Sequence, residues 1–400
     1  MTNALPEASP LPVTRPPGCP FDPPAELARI RAEQPISRLS YPDGHQGWLV
    51  TSRELARAVL ADSRFSARTE LMHMPFPDLA MGEEAPPAAP GAFTDMDPPE
   101  HTRYRPLLTG QFTVRRMRQL TEHIEQLTAE RLDFMERQGP PADLVEAFAQ
   151  PIPGMVICEL LGVPYADREE FQRNAIVTVG NEPGEDFVAA LTALQEYMRE
   201  LVLAKRAEPT DDLLSGLLES DLTDEELTNI GATLLGAGVD TTTNMIALGT
   251  FALLSNPDQF AALRAEPDLT ERAVEELLRY LTITHTSARA ALADVELGGR
   301  LVKAGDTVTI SLQAANRDPE QFADPDTLDL RRKATGHVAF GHGVHQCLGQ
   351  QLARVAMRVA FRGLIDRFPT LRLAVPPEEI PMRAGLIHGV QRLPVAWDEA

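Results

Sequence analysis

Segments with a helical period dominate the middle of the chain. Between residues 119 and 220, apolar positions recur at helical spacing over long stretches such as 144–161 and 187–206. An Asn-Glu-Pro-Gly sequence at 181–184 separates two of these stretches, because proline and glycine end helices. The pattern then predicts one helix from residue 224 past 253, about thirty residues and far longer than a typical globular helix. Helix is therefore the main element of the predicted fold.

Shorter stretches have the composition of strands. Residues 48–51 form one candidate, after which Ser52 is expected to cap a helix through its hydroxyl. Residues 297–302 and 308–310 are two more, joined by the turn at 303–306. We therefore predict a mainly α protein with small β-sheets, an α+β fold.

Two proline-rich segments interrupt these patterns. Residues 1–24 contain eight prolines and are predicted to form an N-terminal arm, extended on the surface or partly disordered. We expect residues 25–400 to form a single domain. Residues 72–93 show no period and predict a long loop, and loops of this length in compact proteins are usually functional or mobile.

Composition excludes several classes of protein. The 400 residues are 43% hydrophobic and 24% charged, as in soluble globular proteins, and the net charge of −21 argues against nucleic acid and anionic membrane as partners. The most apolar stretch, 245–254, is about half the length that spans a bilayer. The segment near the N-terminus has no apolar run of the length that a signal peptide needs, so no signal peptide is predicted. The three cysteines, Cys19, Cys158 and Cys347, are too far apart in sequence for a disulfide framework, so we expect a cytoplasmic protein.

A glycine-rich loop ends at a cysteine near the C-terminus. Gly341 and Gly343 favour a tight turn, and helical periodicity begins at Leu348, so Cys347 lies at or just before a helix N-terminus. The positive end of a helix dipole favours the thiolate form. A lone cysteine can also be a buried structural residue. A single thiolate with no other ligand at zinc spacing instead suggests axial ligation of haem iron.

The surrounding residues support haem ligation. Residues 340–349, Phe-Gly-His-Gly-Val-His-Gln-Cys-Leu-Gly, fit the pattern F-G-x-G-x-H-x-C-x-G and resemble the haem-binding loop of the cytochrome P450 superfamily. The resemblance runs from about Cys19 to Trp397 and is greatest to soluble actinobacterial enzymes. It implies a triangular fold with haem b between the long helix and the cysteine loop. Cys347 would be the iron ligand, with Phe340 and Gly349 also contacting the haem.

The middle of the long helix has poor helix formers. Residues 237–243, Ala-Gly-Val-Asp-Thr-Thr-Thr, combine a glycine with β-branched residues, and threonine hydroxyls can bond to preceding carbonyls and open the helix locally. Asp240 and Thr241 place an acid beside an alcohol, which suits proton delivery. An isolated Asp-Thr pair would more often be a cap or a kink. The motif A-G-x-D-T-T resembles the oxygen-activation signature of the superfamily, which implies a catalytic Asp240 and Thr241 and haem contact at Ala237.

Several basic residues are candidate haem partners. His101 and Arg105 are four residues apart and share a helical face, which alone would suggest a solvated basic surface. The resemblance instead implies that they bind the haem propionates, together with Arg289 and His345. The same resemblance assigns a structural role to Glu276, Arg279 and Arg332, which would support the haem-binding loop.

The resemblance also locates a substrate pocket. It implies that the 72–93 loop covers the substrate and that the helices at about 168–195 form a mobile lid. A pocket-facing histidine at 285 would be a polar contact for substrate, although it could equally be a surface or internally satisfied side chain. Loop residues could likewise simply pack on the surface. The candidate pocket residues are Met74, Phe76, Met81, Leu234, Gly238, Met245, Thr284, His285, Leu386 and Ile387.

The resemblance predicts a monooxygenase. It would insert one atom of O2 into a C–H bond, or epoxidise a double bond, of a lipophilic secondary metabolite such as a macrolide, another polyketide or a terpenoid. No flavin or nicotinamide motif is visible, so electrons from NAD(P)H would arrive through a ferredoxin reductase and a ferredoxin. A monomer is expected. The candidate docking site for an acidic ferredoxin is the basic cluster Arg103, Arg105, Arg115, Arg116 and Arg118.

Three alternatives stay open from the sequence. A peroxide-driven peroxygenase would lack the Asp240 and Thr241 pair, so the presence of the pair favours the O2 route. A haem-thiolate sensor or ligand carrier without turnover would not need the pair either. A helical interaction protein without haem is the third alternative. Consumption of reduced nicotinamide with a reductase system distinguishes a monooxygenase from a sensor, and a visible Soret band excludes the protein without haem.

Overall fold

The computed structural model describes residues 8–16, 18–77, 86–179, 185–383 and 385–398. It is 54% helical with small sheets, which confirms the predicted fold class. The helices in these ranges are α1 (Ala25–Glu33), α2 (Arg53–Ala61), α3 (Glu100–Gln111), α4 (Val114–Gln138), α5 (Pro151–Leu161), α6 (Arg168–Val179), α7 (Glu185–Ala207), α8 (Leu213–Leu217), α9 (Asp224–Leu254), α10 (Pro257–Ala265), α11 (Thr270–Leu281), α12 (Leu312–Ala315) and α13 (Gln350–Arg367).

The strands are short. They are β1 (Ile36–Ser40), β2 (Gln46–Val50), β3 (Phe65–Ser66), β4 (Ala142–Asp143), β5 (Thr286–Ala291), β6 (Val295–Leu297), β7 (Arg300–Val302), β8 (Thr307–Ser311), β9 (Arg372–Leu373) and β10 (Pro394–Ala396). By their contacts the residues divide into two compact units.

The first unit is built on a five-stranded sheet. It comprises Met1–Ala88, Thr94–Thr102 and Glu275–Cys347, and its strands have the order β1-β2-β8-β5-β3, with β2 and β8 parallel. Every residue of β8 is buried, because α2 and neighbouring segments cover apolar side chains of the sheet. The predicted cap is present, since Ser52 Oγ accepts from Leu55 N at the start of α2.

The described part of the N-terminal arm packs within this first unit. Ser9 forms a parallel bridge with Leu39, and Leu11 is buried in a cluster with Leu27. Arg15 donates to Gln313 Oε1 at 3.1 Å. These contacts tie the arm to the sheet and to α12.

The second unit is largely helical. It comprises Ala89–Phe93, Arg103–Val274 and Leu348–Ala400, and it also contains the small sheet β4-β10-β9. Helix α9 contacts α5, α7 and α13, so most of its side chains are buried. Its start is fixed by a capping box in which Glu226 N donates to Thr223 Oγ1 and Thr223 N donates to Glu226 Oε2. The predicted long helix is confirmed.

Three local predictions need correction or lie outside the described residues. The single helix expected at 144–161 is interrupted, because Val145–Ala149 forms a π-helical turn before α5. The strand expected at 297–302 is a hairpin of β6 and β7, because Gly298 and Gly299 both have positive φ. The break at 181–184 lies outside the described residues, and α6 and α7 flank it.

None of the helices in the described residues is both long enough and apolar enough to cross a bilayer.

A stacked histidine pair in the first unit gives a stability prediction. The rings of His45 and His73 are 3.7 Å apart and nearly parallel, and His73 Nδ1 lies 2.5 Å from Asp43 Oδ2. Burial, and then the charge of His73, lower the pKa of His45, although Asp43 opposes this shift. The unfolded chain therefore binds the His45 proton more tightly, so folding stability should fall as pH decreases below about 6.5, the ordinary histidine pKa. Urea unfolding at two pH values should show that the free energy of unfolding decreases less on acidification for His45→Gln than for the parent chain. An equal decrease in both would contradict the assignment.

Candidate active site

The cysteine loop is a closed turn within the first unit. Cys347 N donates to Phe340 O at 2.9 Å, and Gly341 N donates to Val338 O at 2.9 Å. Gly341 and Gly343 have φ values of +69° and +76°, and a Cβ at Gly343 would overlap the backbone oxygen of Leu60. Glycine is therefore required by both conformation and space at Gly343, as the sequence predicted for the turn.

The sulfur lies just before a helix. Cys347 is half-buried, Gly349 is the N-cap residue of α13, and the helix begins at Gln350. Helix N-termini favour thiolates, so the local structure suits a sulfur that binds metal as an anion. A Cβ built on Gly341 or Gly349 would have no atom within 4 Å, so the backbone is open to a flat group at both positions.

The first unit also contains three of the candidate haem partners, His101, Arg289 and His345. The rings of His101 and His345 are 4.3 Å apart, and His101 is buried. Burial lowers the pKa of Arg289, and attraction by Asp97 and Asp95 only partly opposes this shift.

The contacts of Arg289 are with neutral oxygens. Its Nη1 donates to Ser287 Oγ at 3.3 Å and to Ala288 O at 2.6 Å. Within the described ranges, no carboxylate forms a salt bridge with this guanidinium. A partly desolvated guanidinium without a paired anion is suited to binding a ligand carboxylate.

A buried ion-pair network lies in the first unit. Glu276 and Arg279 have fully buried side chains and form a bidentate pair with two bonds of 2.8 Å, and Arg332 Nε donates to Glu276 Oε1 at 3.1 Å. Arg279 also donates to the carbonyls of Asn316 and Pro325. The network therefore fixes the segment that runs from α12 toward the cysteine loop.

In the second unit, α9 exposes small residues at its centre. Gly236 and Ala237 are exposed although the helix is otherwise mainly buried, and Thr241 Oγ1 donates to Ala237 O at 2.8 Å. The predicted hydroxyl bond is thus present. Helix α9 is nevertheless continuous here, so the expected local opening does not interrupt it.

Asp240 makes contacts that the sequence did not reveal. Its Oδ1 accepts from Arg383 Nη1 at 2.5 Å and from Asn244 Nδ2 at 2.9 Å. Nothing in the local sequence marks Arg383, because its partner is 143 positions away. Arg383 is therefore the main candidate site residue that could not be found from the sequence pattern.

The candidate pocket residues fall in both units. In the first, Met74, Thr284 and His285 are half-buried, and the ring of Phe76 meets His285 edge-on at 5.8 Å. Met81 lies outside the described residues. In the second unit, Leu234 and Met245 are buried, Gly238 is half-buried against Ile157, Leu386 is exposed and Ile387 is half-buried.

Comparison with known proteins identifies the family. The family model described as Cytochrome P450 matches residues 174–388, more than half of the chain. The chain belongs to the cytochrome P450 family. It is 53% identical to Cytochrome P450 105C1 of a Streptomyces species, over 94% of this chain and 96% of the relative. It is 44% identical to pentalenic acid synthase of Streptomyces avermitilis, over 95% of each chain.

A solved structure agrees over almost the whole chain. The crystal structure of CYP105P1 in complex with filipin I has a TM-score of 0.91 and 42% identity, and covers 98% of this chain and 100% of that one. The protein is therefore a cytochrome P450 monooxygenase, and membership of the family implies the use of haem and O2.

The residues of this cytochrome P450 fit haem. A half-buried thiol before a helix can supply the sulfur ligand, and the partly desolvated Arg289 with the paired imidazoles of His101 and His345 can bind carboxylates. Arg105 is half-buried on α3, four residues after His101. The open backbone at Gly341 and the exposed Ala237 leave room for a flat group beside each segment.

Part of the basic cluster on α3 and α4 is engaged in contacts within the chain, which the sequence did not predict. Arg103 pairs with Glu226, and Arg116 donates to the carbonyls of Gln111 and Asp212. These two side chains therefore stabilise contacts within the second unit. Arg115, which pairs with Asp211, and Arg118 remain exposed on α4.

Proposed function

We propose that this cytochrome P450 oxidises a lipophilic secondary metabolite, such as a macrolide, another polyketide or a terpenoid. The observation that carries the proposal is full-length similarity to a protein crystallised with filipin I and to one named pentalenic acid synthase. Residues 25–400 would act as one catalytic domain in a cytoplasmic monomer.

The chain's own residues supply binding, orientation and proton transfer. Bound haem supplies the chemistry that inserts one oxygen atom of O2 into the substrate. Cys347 would hold the iron through its thiolate, and the two haem carboxylates would be bound by His101, Arg105, Arg289 and His345. Phe340, Gly349 and Ala237 would contact the haem ring.

Proton transfer is assigned to neighbouring residues of α9. Asp240 Oδ1 already accepts two hydrogen bonds, which orients the carboxylate, and the Thr241 hydroxyl is fixed by its bond to Ala237 O. An oriented acid beside an oriented alcohol can move protons without rearranging at each turnover. Glu276, Arg279 and Arg332 would support the site without contacting reactants.

Substrate would be bound mainly by apolar side chains with a few polar contacts, as in most small-molecule pockets. In the first unit, Phe76 would supply apolar surface and His285, which lies edge-on to Phe76, would supply a polar atom. In the second unit, Met245 and Ile387 would supply apolar surface.

Substrate class is tested by spectral titration of the purified haem protein. Macrolide lactones and terpenoid acids should perturb the haem spectrum at micromolar concentrations, whereas hydrophilic sugars of similar mass should not. Product should then form with NAD(P)H, a ferredoxin reductase and a ferredoxin. If no member of the lipophilic panel perturbed the spectrum, the proposed substrate class would be wrong. If hydrogen peroxide alone supported faster turnover than the ferredoxin system, the proposed electron route would be wrong.

If an acidic ferredoxin delivers electrons by docking at the exposed arginines of α4, replacing one of these arginines should weaken its binding. Arg118→Glu should weaken binding of an acidic ferredoxin roughly 3–10-fold, with a strong dependence on salt, because a charge at the rim of an interface acts mainly through electrostatic attraction. Titration calorimetry at two ionic strengths measures the effect. Arg137→Glu is the matched control, since Arg137 is also exposed and lies in the last turn of α4. Equal weakening in both variants would show a general charge effect and contradict docking at Arg118.

A further inference from the structure

A hairpin near the C-terminus carries Arg383. Its two arms are joined by a bridge between Met382 and Val390 and by the bond from Arg383 N to Gly389 O at 2.9 Å. Gln391 N donates to Pro381 O at 2.8 Å and closes its base. These bonds fix the backbone from which the arginine side chain extends.

The hairpin lies directly against α9. A Cβ at Gly389 would overlap Asn244 Oδ1, so the approach requires glycine at this position. Asn244 itself is buried, and its Nδ2 donates both to Asp240 O at 2.8 Å and to Asp240 Oδ1 at 2.9 Å. Hairpin and helix therefore meet at the turn of α9 that contains Asp240.

The ion pair between Asp240 and Arg383 is well shielded. Each side chain is 13% exposed, and Arg383 Nη1 lies 2.5 Å from Asp240 Oδ1. A shielded, charge-assisted hydrogen bond orients a carboxylate more strongly than a surface pair does. Arg383 and Asn244 both donate to Oδ1, so these two bonds orient the carboxylate and thereby set the direction in which Oδ2 points.

We propose that Arg383 is a positioning residue for proton transfer. It fixes Asp240 through Oδ1, so that Oδ2 takes a proton from solvent, gives it up within the active site and returns to the carboxylate in each cycle. The inference rests on the proposed function, because it assigns Arg383 a role in the same oxygenation reaction. A purely stabilising ion pair would not affect proton transfer, whereas the role proposed for Arg383 requires such an effect.

The first test is Arg383→Gln, which keeps a polar side chain but removes the charge. Steady-state kcat should fall roughly 10–100-fold with little change in KM, since general acid catalysis typically contributes a factor of this order or larger. The solvent deuterium isotope effect on kcat should increase, and more of the consumed O2 should appear as hydrogen peroxide. Arg383→Lys should restore part of the lost rate. Unchanged kcat and isotope effect in Arg383→Gln would overturn the proposal.

A double-mutant cycle separates positioning from stability. If Arg383 acts through Asp240, Arg383→Gln should cause no further loss of kcat in an Asp240→Asn background. Additive losses would overturn the proposal. The thermal unfolding midpoint and the spectral substrate affinity of each variant supply readouts that do not depend on turnover. A purely structural role would lower the unfolding midpoint without altering the isotope effect.

Failure of the proposed function is recognisable in the same experiments. If the parent protein oxidised none of the lipophilic compounds, the proposed substrate class would fail. Reduction of O2 without substrate would still occur with the redox partners. An unchanged ratio of hydrogen peroxide to water in that reaction, between the parent protein and Arg383→Gln, would overturn the role of Arg383 independently.

Discussion

Arg279→Ala is expected to destabilise the protein by about 3–5 kcal/mol, because it leaves the fully buried Glu276 carboxylate without its bidentate partner. The carbonyls of Asn316 and Pro325 would lose their guanidinium donor as well. A loss of this size is a large part of the total stability of a typical domain. Urea unfolding should show it, together with a reduced yield of haem protein.

Arg367→Ala is the control for this prediction. Arg367 pairs with Asp133 and Glu136 at the surface, where ion pairs contribute only about 0–1 kcal/mol. A similar destabilisation in both variants would contradict the importance assigned to burial of the Glu276 and Arg279 pair.

Asp240→Asn is expected to lower turnover roughly 10²- to 10⁴-fold while substrate still binds, because the amide cannot supply the proton that the carboxyl group transfers. Single-turnover kinetics and spectral titration measure the two effects separately. Asp224→Asn removes the same charge from the first turn of the same helix and should leave turnover within about twofold, because Asp224 pairs with Arg206 at the surface. Full activity of Asp240→Asn would favour a peroxide-driven enzyme instead.

Much of the fold is predictable because it depends on local chemistry. The start of α9 at residue 224 and the cap of α2 at Ser52 were both predicted from the sequence, and the structure contains both. The interruption before α5 was missed, because the apolar pattern of Val145–Ala149 is compatible with both α and π hydrogen bonding. The β6–β7 hairpin was missed although Gly298 and Gly299 were a usable signal.

The candidate site also combines local and long-range features. The cysteine loop with its glycine turn and the Asp-Thr pair are each a short contiguous motif, so each can be recognised in the sequence. Arg383 is not identifiable in this way, because it meets Asp240 only after the hairpin has packed on α9. Arg116 was assigned to a docking surface because its contacts with the carbonyls of Gln111 and Asp212 leave no trace in the sequence pattern. The periodicity of the sequence does not predict the tertiary contacts of long charged side chains such as these two arginines.

Ligation of the haem iron by the Cys347 thiolate is the central claim, and the absorption spectrum of the reduced carbon monoxide complex tests it most directly. The parent protein and Cys19→Ser, which changes a cysteine in the N-terminal arm, should both show the strongly red-shifted Soret band that a thiolate ligand produces. Cys347→Ser should lose that band together with turnover. Retention of both by Cys347→Ser would contradict the assignment of Cys347 as the iron ligand.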